Sequence, residues 1–182
     1  STRKESSAAS DVYKRQDHIR AQLDDDEVTV VSPDTGRVRV AEQWAERLGG
    51  APLAFVHKTR DVTQPNMAES KQVVGQIEGR TCVLIDDMID TGGTISGAVK
   101  VLKDAGAKDV IIAATHAILS GPAAERLAAS GAREVVVTNT LPIPEEKRFE
   151  QLTVLSIAPI LATAIREVFT DGSVTSLFDG HG

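Results

Sequence analysis

The run from Val83 to Thr94, VLIDDMIDTGGT, places three carboxylates (Asp86, Asp87 and Asp90) and the glycines Gly92 and Gly93 directly after an apolar stretch. An ionised carboxylate only accepts hydrogen bonds, so the Asp86–Asp87 pair suits a vicinal diol whose hydroxyls donate to it. The segment Thr91-Gly92-Gly93-Thr94 suits a phosphate. Its glycines let the backbone approach a ligand, its N–H groups with a helix N-terminus behind them can cradle an anion, and its threonines add hydroxyl donors. A diol on the acids and a phosphate on the turn together describe a ribose 5-phosphate moiety.

The same run contains Asp90-Thr91-Gly92, and a second Asp-Thr-Gly stands at Asp34 to Gly36. Paired tripeptides of this kind would fit an aspartic protease, whose two carboxylates share a proton. That chemistry requires an all-β body with the acids facing each other across two lobes. Here each tripeptide follows a strand pattern and leads into a helix pattern, which excludes it. A phosphate loop of the G-x-x-x-x-G-K-[ST] type is excluded because no Gly-Lys-Ser/Thr follows the glycines. A dinucleotide fingerprint is excluded because the glycines are adjacent and not spaced G-x-G-x-x-G. Helix capping by Asp90 or Thr94 would need one such residue, not three acids and two glycines.

The elements that must hold these residues alternate along the chain. EVTVVS (27–32) reads as a buried strand and PDTG as a turn. VRVAEQWAERLGG follows as a helix, with Val40, Trp44, Ala45 and Leu48 at helical spacing and Gly49-Gly50 as its stop. PLAFVH (52–57) is a second strand, and KTRDVTQPNMAESKQ (58–72) is a long polar connection expected to be a mobile functional loop. VVGQIEG and TCVLID read as strands, and TISGAVKVLKDAGA (94–107) as a helix opening on Thr94. DVIIAATH, REVVVTN and LTVLSIA are further strands, separated by the helix GPAAERLAASG and followed by PILATAIREVF, a helix with Pro159 at its start. This alternation predicts an α/β fold, a mostly parallel sheet flanked by helices on both faces. Ligands of such sheets bind at the carboxyl ends of the strands, where both Asp-Thr-Gly turns fall.

At 182 residues and 41% hydrophobic, the chain can bury one sizeable core, built from aliphatic residues because aromatics are only 3%. Residues 1–16 are small and polar without periodicity, and are set apart as a disordered or non-native leader; residues 17–182 form the domain. A net charge of −6 argues against a nucleic-acid or membrane-surface partner. The single Cys82 lies in an apolar run, which excludes a disulfide framework and a zinc cluster and points to a buried strand residue in a reducing cytoplasm. Trp44 is expected in the core. His116 and His57 are left out of the catalytic set, a lone strand-end histidine being more often structural.

VLIDDMIDTGGT resembles the ribose-phosphate loop of the type I phosphoribosyltransferase fold. More narrowly, the chain is similar to the ribose-phosphate pyrophosphokinase family, the synthetases of phosphoribosyl pyrophosphate (PRPP). VVSPDTGRVRVAE, HKTRD, ATHAILSGPAAERL, VTNTLPI, LSIAPILATAIR and SVTSLF resemble that family's segments in the same order, from about Asp17 to Phe178. The loop alone is common to many phosphoribosyltransferases; the ordered set is specific to the synthetases.

The resemblance implies transfer of the β,γ-diphosphoryl group of ATP to the 1-hydroxyl of ribose 5-phosphate, with AMP released. It implies catalytic roles for Lys58 and Arg60, which would neutralise charge on the moving group. Asp86, Asp87, Asp90, Thr91, Gly92, Gly93 and Thr94 would bind the substrate. Asp34 would be the single protein ligand of Mg2+, completed by ATP oxygens and water. Arg37 stands where the family often has a second glycine, and Thr59 where a third basic residue is common; neither is expected to touch the matched acids or cations. Ser173–Phe178 resembles a strip that helps form a regulatory nucleotide site between subunits. By resemblance the protein is a cytoplasmic homo-oligomer, a hexamer, and this chain is the C-terminal half, lacking an N-terminal half that supplies most of the ATP site. The rival readings are a phosphoribosyltransferase that consumes PRPP and a non-catalytic, synthetase-associated regulatory subunit.

Overall fold

The computed structural model describes residues 15–23, 27–59 and 70–170, apart from the side chains of residues 58, 59, 70 and 71. Arg60, residues 1–14 and the segment Ser173–Phe178 lie outside the described residues. Residues 15–23 are helical and belong to α1. Next come β1 (Val28–Ser32), the 3-10 turn Thr35–Arg37, α2 (Val38–Arg47), β2 (Leu53–Thr59), β3 (Ser70–Val74) and β4 (Thr81–Ile89). The remainder is α3 (Gly93–Asp104), β5 (Asp109–Ala117), α4 (Ala123–Ala128), β6 (Glu134–Thr138), the 3-10 turn Glu145–Lys147, β7 (Leu152–Leu155) and α5 (Ala158–Phe169).

The strands form one seven-stranded sheet in the order β3-β2-β1-β4-β5-β6-β7. All neighbours are parallel except β2 and β3. The expected α/β architecture is therefore present, and its strands explain themselves. A parallel strand covered on both faces must be apolar at every position, and Cys82 to Ile85 are all at most 1% exposed. Alternate residues then serve opposite faces. Val31, Leu84, Ile112 and Val137 pack with Ile95, Val99 and Leu102 of α3 and Leu127 of α4. Val30, Val83, Ile85, Ile111 and Val136 pack instead with Ile19 and Leu23 of α1 and with Ala41, Trp44 and Ala45 of α2. Trp44 is core, as expected, and burial raises the thiol pKa of Cys82 to about 11. Val40, expected on the buried stripe of α2, is 37% exposed; Ala41 takes that face in its place.

Four boundaries differ from the sequence reading. Helix α1 includes Arg15 and Gln16, two residues of the segment set apart as a leader. Arg15 is buried, donates to Thr115 Oγ1 at 2.7 Å and stacks 5.5 Å from the Trp44 ring centre. The third strand is 70–74 and not VVGQIEG, because it pairs with β2 from Phe55↔Val74 to Thr59↔Ser70. Gly75 then turns the chain with φ 133°, and a Cβ there would lie 2.5 Å from that of Ala54. Both ends of the polar stretch 58–72 are thus strand. The helix expected over GPAAERLAASG shortens to six residues. Last, β4 continues through Ile89, so the acid pair stands on the strand and not after it, held by pairing with β5 as far as Ile89↔Ala117.

Candidate active site

From β1 the chain enters β2 on one side, and β4 returns to the other side of β1, so the strand order reverses between β1 and β4. Side by side, these two strands leave a crevice at their carboxyl ends, the usual ligand position in such sheets. Their pairing runs from Val28↔Thr81 to Val31↔Leu84. This register brings Asp34, two residues past β1, beside Asp86 and Asp87. One pocket of about 250 Å³ is lined by Asp34, Arg37 and the continuous run from Asp86 to Ile95. The pocket is small beside the sites of about 300–1,000 Å³ that typically hold drug-sized ligands. All the expected substrate residues and Asp34 meet there. Lys58 and Arg60 are not part of that described lining: the side chain of the first and the whole of the second lie outside the described residues.

Asp34 is fixed by its own turn. Its backbone is extended, its Oδ1 accepts the Gly36 N–H at 2.8 Å, and its carbonyl accepts from the Ser32 hydroxyl. That turn delivers Arg37 across the pocket. Arg37 Nη2 donates to Asp87 Oδ2 at 2.6 Å, and its Nε lies 3.7 Å from Asp86 Oδ1. Here the sequence reading needs correction, since Arg37 was expected not to touch the acids. The guanidinium is a cation among four carboxylates and neutralises part of their mutual repulsion.

Asp86 is the more enclosed acid, with its side chain 16% exposed against 41% for Asp87. Its Oδ1 accepts the Asp87 backbone N–H at 2.8 Å. Burial, first, and the neighbouring Asp87 carboxyl push its pKa up to about 6, while the Asp87 N–H and Arg37 pull it down. Because the folded pKa stands above the ordinary 3.8, the folded state retains a proton that the unfolded chain releases between about pH 4 and pH 6. The contribution of this group to stability is thus complete below pH 3.8 and is lost as pH rises through about 6. Urea unfolding at pH 4 and pH 7 should show that loss, and Asp86→Asn should remove this component; an unchanged pH profile would contradict the shift.

The cradle is positioned from three sides. The carbonyl of Ile89 accepts from Ile118 N and Leu119 N, and that of Asp90 from Ser120 N at 2.9 Å, tying the exit of β5 to the entry of the turn. Leu119 is buried with φ 52°, a conformation uncommon for a residue with a side chain and a sign of local strain at this edge. Gly92 caps α3 with φ 71° and no side-chain hydrogen bond. Neither Asp90 nor Thr94 acts as the helix cap, so capping does not account for these residues. The first N–H groups of α3 have no partners within the helix. Arg126 of α4 donates from Nη1 to the Thr91 carbonyl at 2.6 Å.

His116 behaves structurally: its Nδ1 meets Thr140 Oγ1 at 2.8 Å, and it is not among the pocket-lining residues. His57 is exposed on β2. Arg37 and Arg126 are the residues that sequence reasoning missed. Arg37 is close in sequence to Asp34, so its presence near the site was readable but its pairing was not. Arg126 is 35 residues beyond Thr91, and no local spacing links the two.

Residues 54–179 match the family model of the phosphoribosyl synthetase-associated domain. The ribose-phosphate pyrophosphokinase of Mycobacterium leprae is 68% identical over 164 residues, covering 90% of this chain and 50% of that protein. The enzyme of the same name from Bifidobacterium longum is 67% identical over 166 residues, 91% of this chain and 48% of that protein. The chain spans about half the length of the curated relatives it matches. Among solved structures, phosphoribosylpyrophosphate synthetase from Mycobacterium smegmatis aligns with a TM-score of 0.81 and 61% identity, over 88% of this chain and 51% of that one. APRTase from Giardia lamblia, at 18% identity and a TM-score of 0.50 over 69% of this chain and 77% of its own, shares the fold alone. Sheet order, pocket and family match agree, and the chain belongs to the phosphoribosyl synthetase-associated domain family.

Proposed function

We propose that this chain carries the ribose 5-phosphate site and the catalytic loop of a ribose-phosphate pyrophosphokinase. The complete enzyme is a transferase that moves the β,γ-diphosphoryl group of ATP onto the 1-hydroxyl of ribose 5-phosphate, forming PRPP and AMP. One observation carries the reading: the acid pair, the glycine cradle and Asp34 line a single pocket at the strand-order reversal. Asp86 and Asp87 accept the ribose hydroxyls, while the backbone of Thr91 to Thr94 and the two threonine hydroxyls hold the 5′-phosphate. Arg37, bonded to Asp87 Oδ2, competes with the diol for the acids. Both it and Asp87 are partly exposed, so the exchange costs little; exposed ion pairs are worth about 0–1 kcal/mol.

Mg2+ fits the donor set in a limited way. Among the described residues no group of three or more His, Cys, Asp or Glu is placed to hold a metal. Asp34 offers one carboxylate whose Oδ1 already takes a backbone N–H, which suits an ion bound by few protein ligands and many phosphate and water oxygens. When bound, it would neutralise phosphate charge. Lys58 and Arg60 supply the cations that act on the transferred group. The adenine site belongs to an N-terminal half outside this sequence, and the assembly is a cytoplasmic homo-oligomer, a hexamer. The exposed apolar residues Leu161, Ile165, Val168 and Phe169 of α5, a helix with no buried residue, support contact with further protein. Among the described residues no helix is long and apolar enough to cross a membrane.

Titration calorimetry with ribose 5-phosphate, with and without Mg2+, tests the site. Binding is expected, together with no AMP release from ATP by this chain alone. A failure to bind either ribose 5-phosphate or PRPP would overturn the assignment.

A further inference from the structure

Arg126 lies on α4, outside every motif that defines the pocket, yet its guanidinium grips the turn that forms the cradle. Its Nη1 is 2.6 Å from the Thr91 carbonyl oxygen and 3.5 Å from the point a Cβ on Gly93 would occupy. The backbone of α4 is equally near: a Cβ on Gly92 would lie 3.5 Å from the Ala123 carbonyl. The turn is thus pressed between the pocket on one side and α4 on the other.

A trans peptide is planar, so its C=O and N–H point in opposite directions. With the Thr91 carbonyl drawn toward α4, the N–H of the Thr91–Gly92 peptide is turned away from α4, toward the pocket. The opposite orientation would send that carbonyl toward a bound phosphate and repel it. Gly92, free of a Cβ and already at φ 71°, lowers the cost of such a flip. Neighbouring contacts do not bear on this peptide: Ser120 N holds the preceding Asp90 carbonyl, and Ser96 N holds the following Gly92 carbonyl.

We propose that Arg126 is a positioning residue for the phosphate subsite: its bond to the Thr91 carbonyl locks the Thr91–Gly92 peptide with its N–H facing the ligand. Its charge lies behind the cradle and adds to the attraction for a dianion. The inference rests on the ribose 5-phosphate reading of the pocket and adds to it a residue on a different element, 35 positions away.

The test compares the unsubstituted chain with Arg126→Met and Arg126→Lys, titrated with ribose 5-phosphate and with inorganic phosphate. Arg126→Met keeps the aliphatic stem and is expected to weaken both ligands about tenfold, the scale of one charge-assisted hydrogen bond. Arg126→Lys, which can still donate to the carbonyl, should recover most of the loss. A merely structural brace would lower the melting temperature and leave the affinity of the folded protein unchanged. Equal affinity in Arg126→Met, with binding by the unsubstituted chain intact, overturns this inference alone. No binding by the unsubstituted chain overturns the ribose 5-phosphate reading and this inference with it.

Discussion

Replacing both acids of the pair, Asp86→Asn with Asp87→Asn, is expected to weaken ribose 5-phosphate binding by at least about 100-fold while the protein stays folded. Hydrogen bonds to charged groups are worth about 1.5–3 kcal/mol each, and the double substitution converts two charged acceptors to neutral ones of nearly the same shape. Stability should move the other way. The raised pKa of Asp86, pushed up to about 6 mainly by burial, means that holding this carboxylate ionised at neutral pH works against the fold. Asparagine removes that opposition, and Arg37, 39% exposed, can turn to solvent once its partners are neutral. The melting temperature at pH 7 should therefore be unchanged or higher. Calorimetric titration and thermal unfolding of the same preparation separate the two effects. Affinity within a few-fold of the original in the folded variant would show that the acids do not serve a ligand.

Lys58→Ala, made in the complete two-half enzyme, carries the other large effect: turnover should fall by about 100- to 1,000-fold, the range found when one preorganised stabilising group is removed. The backbone supports this position. Ser32, the last residue of β1, pairs with Phe55, so β2 runs on past the end of β1 on the side where Asp34 and the pocket lie. Lys58 stands three residues beyond that level, roughly 10 Å at about 3.3 Å per residue, and its backbone pairs with Lys71 of β3. Alanine preserves this backbone ladder, so circular dichroism and the melting temperature should hardly change. AMP release from ATP measures the rate, and Lys58→Arg should retain part of it. An unaltered rate in Lys58→Ala would remove the residue from the catalytic set.

Much of the site could be read in one dimension. VLIDDMIDTGGT announces a buried strand, acceptors and a glycine turn through residue types alone, and each property is local. A strand covered on both faces must be apolar, and a turn that receives a phosphate needs backbone without side chains in the way. The helix α2 likewise followed from spacing, although spacing did not tell Val40 from Ala41 as the residue on the inner face. The stretch 58–72 was harder. Its strand ends are polar and without period, because an antiparallel arm is joined through backbone groups that leave little trace in side-chain pattern.

What the sequence determined by itself was the α/β alternation, the acids and the glycine turn that line the pocket, and the strand-end position of Asp34. Only the tertiary structure decided that β1 and β4 are neighbours, and hence that Asp34 shares a pocket with Asp86 and Asp87. It also decided that Arg37 closes on the acids and that Arg126 holds the Thr91 carbonyl. The physical reason is the range of the forces involved. Periodicity and turn chemistry act between residues a few positions apart, so they are written in spacing. Strand order and charge pairing depend on which distant surfaces pack together, and for Arg126 that partner is 35 residues away.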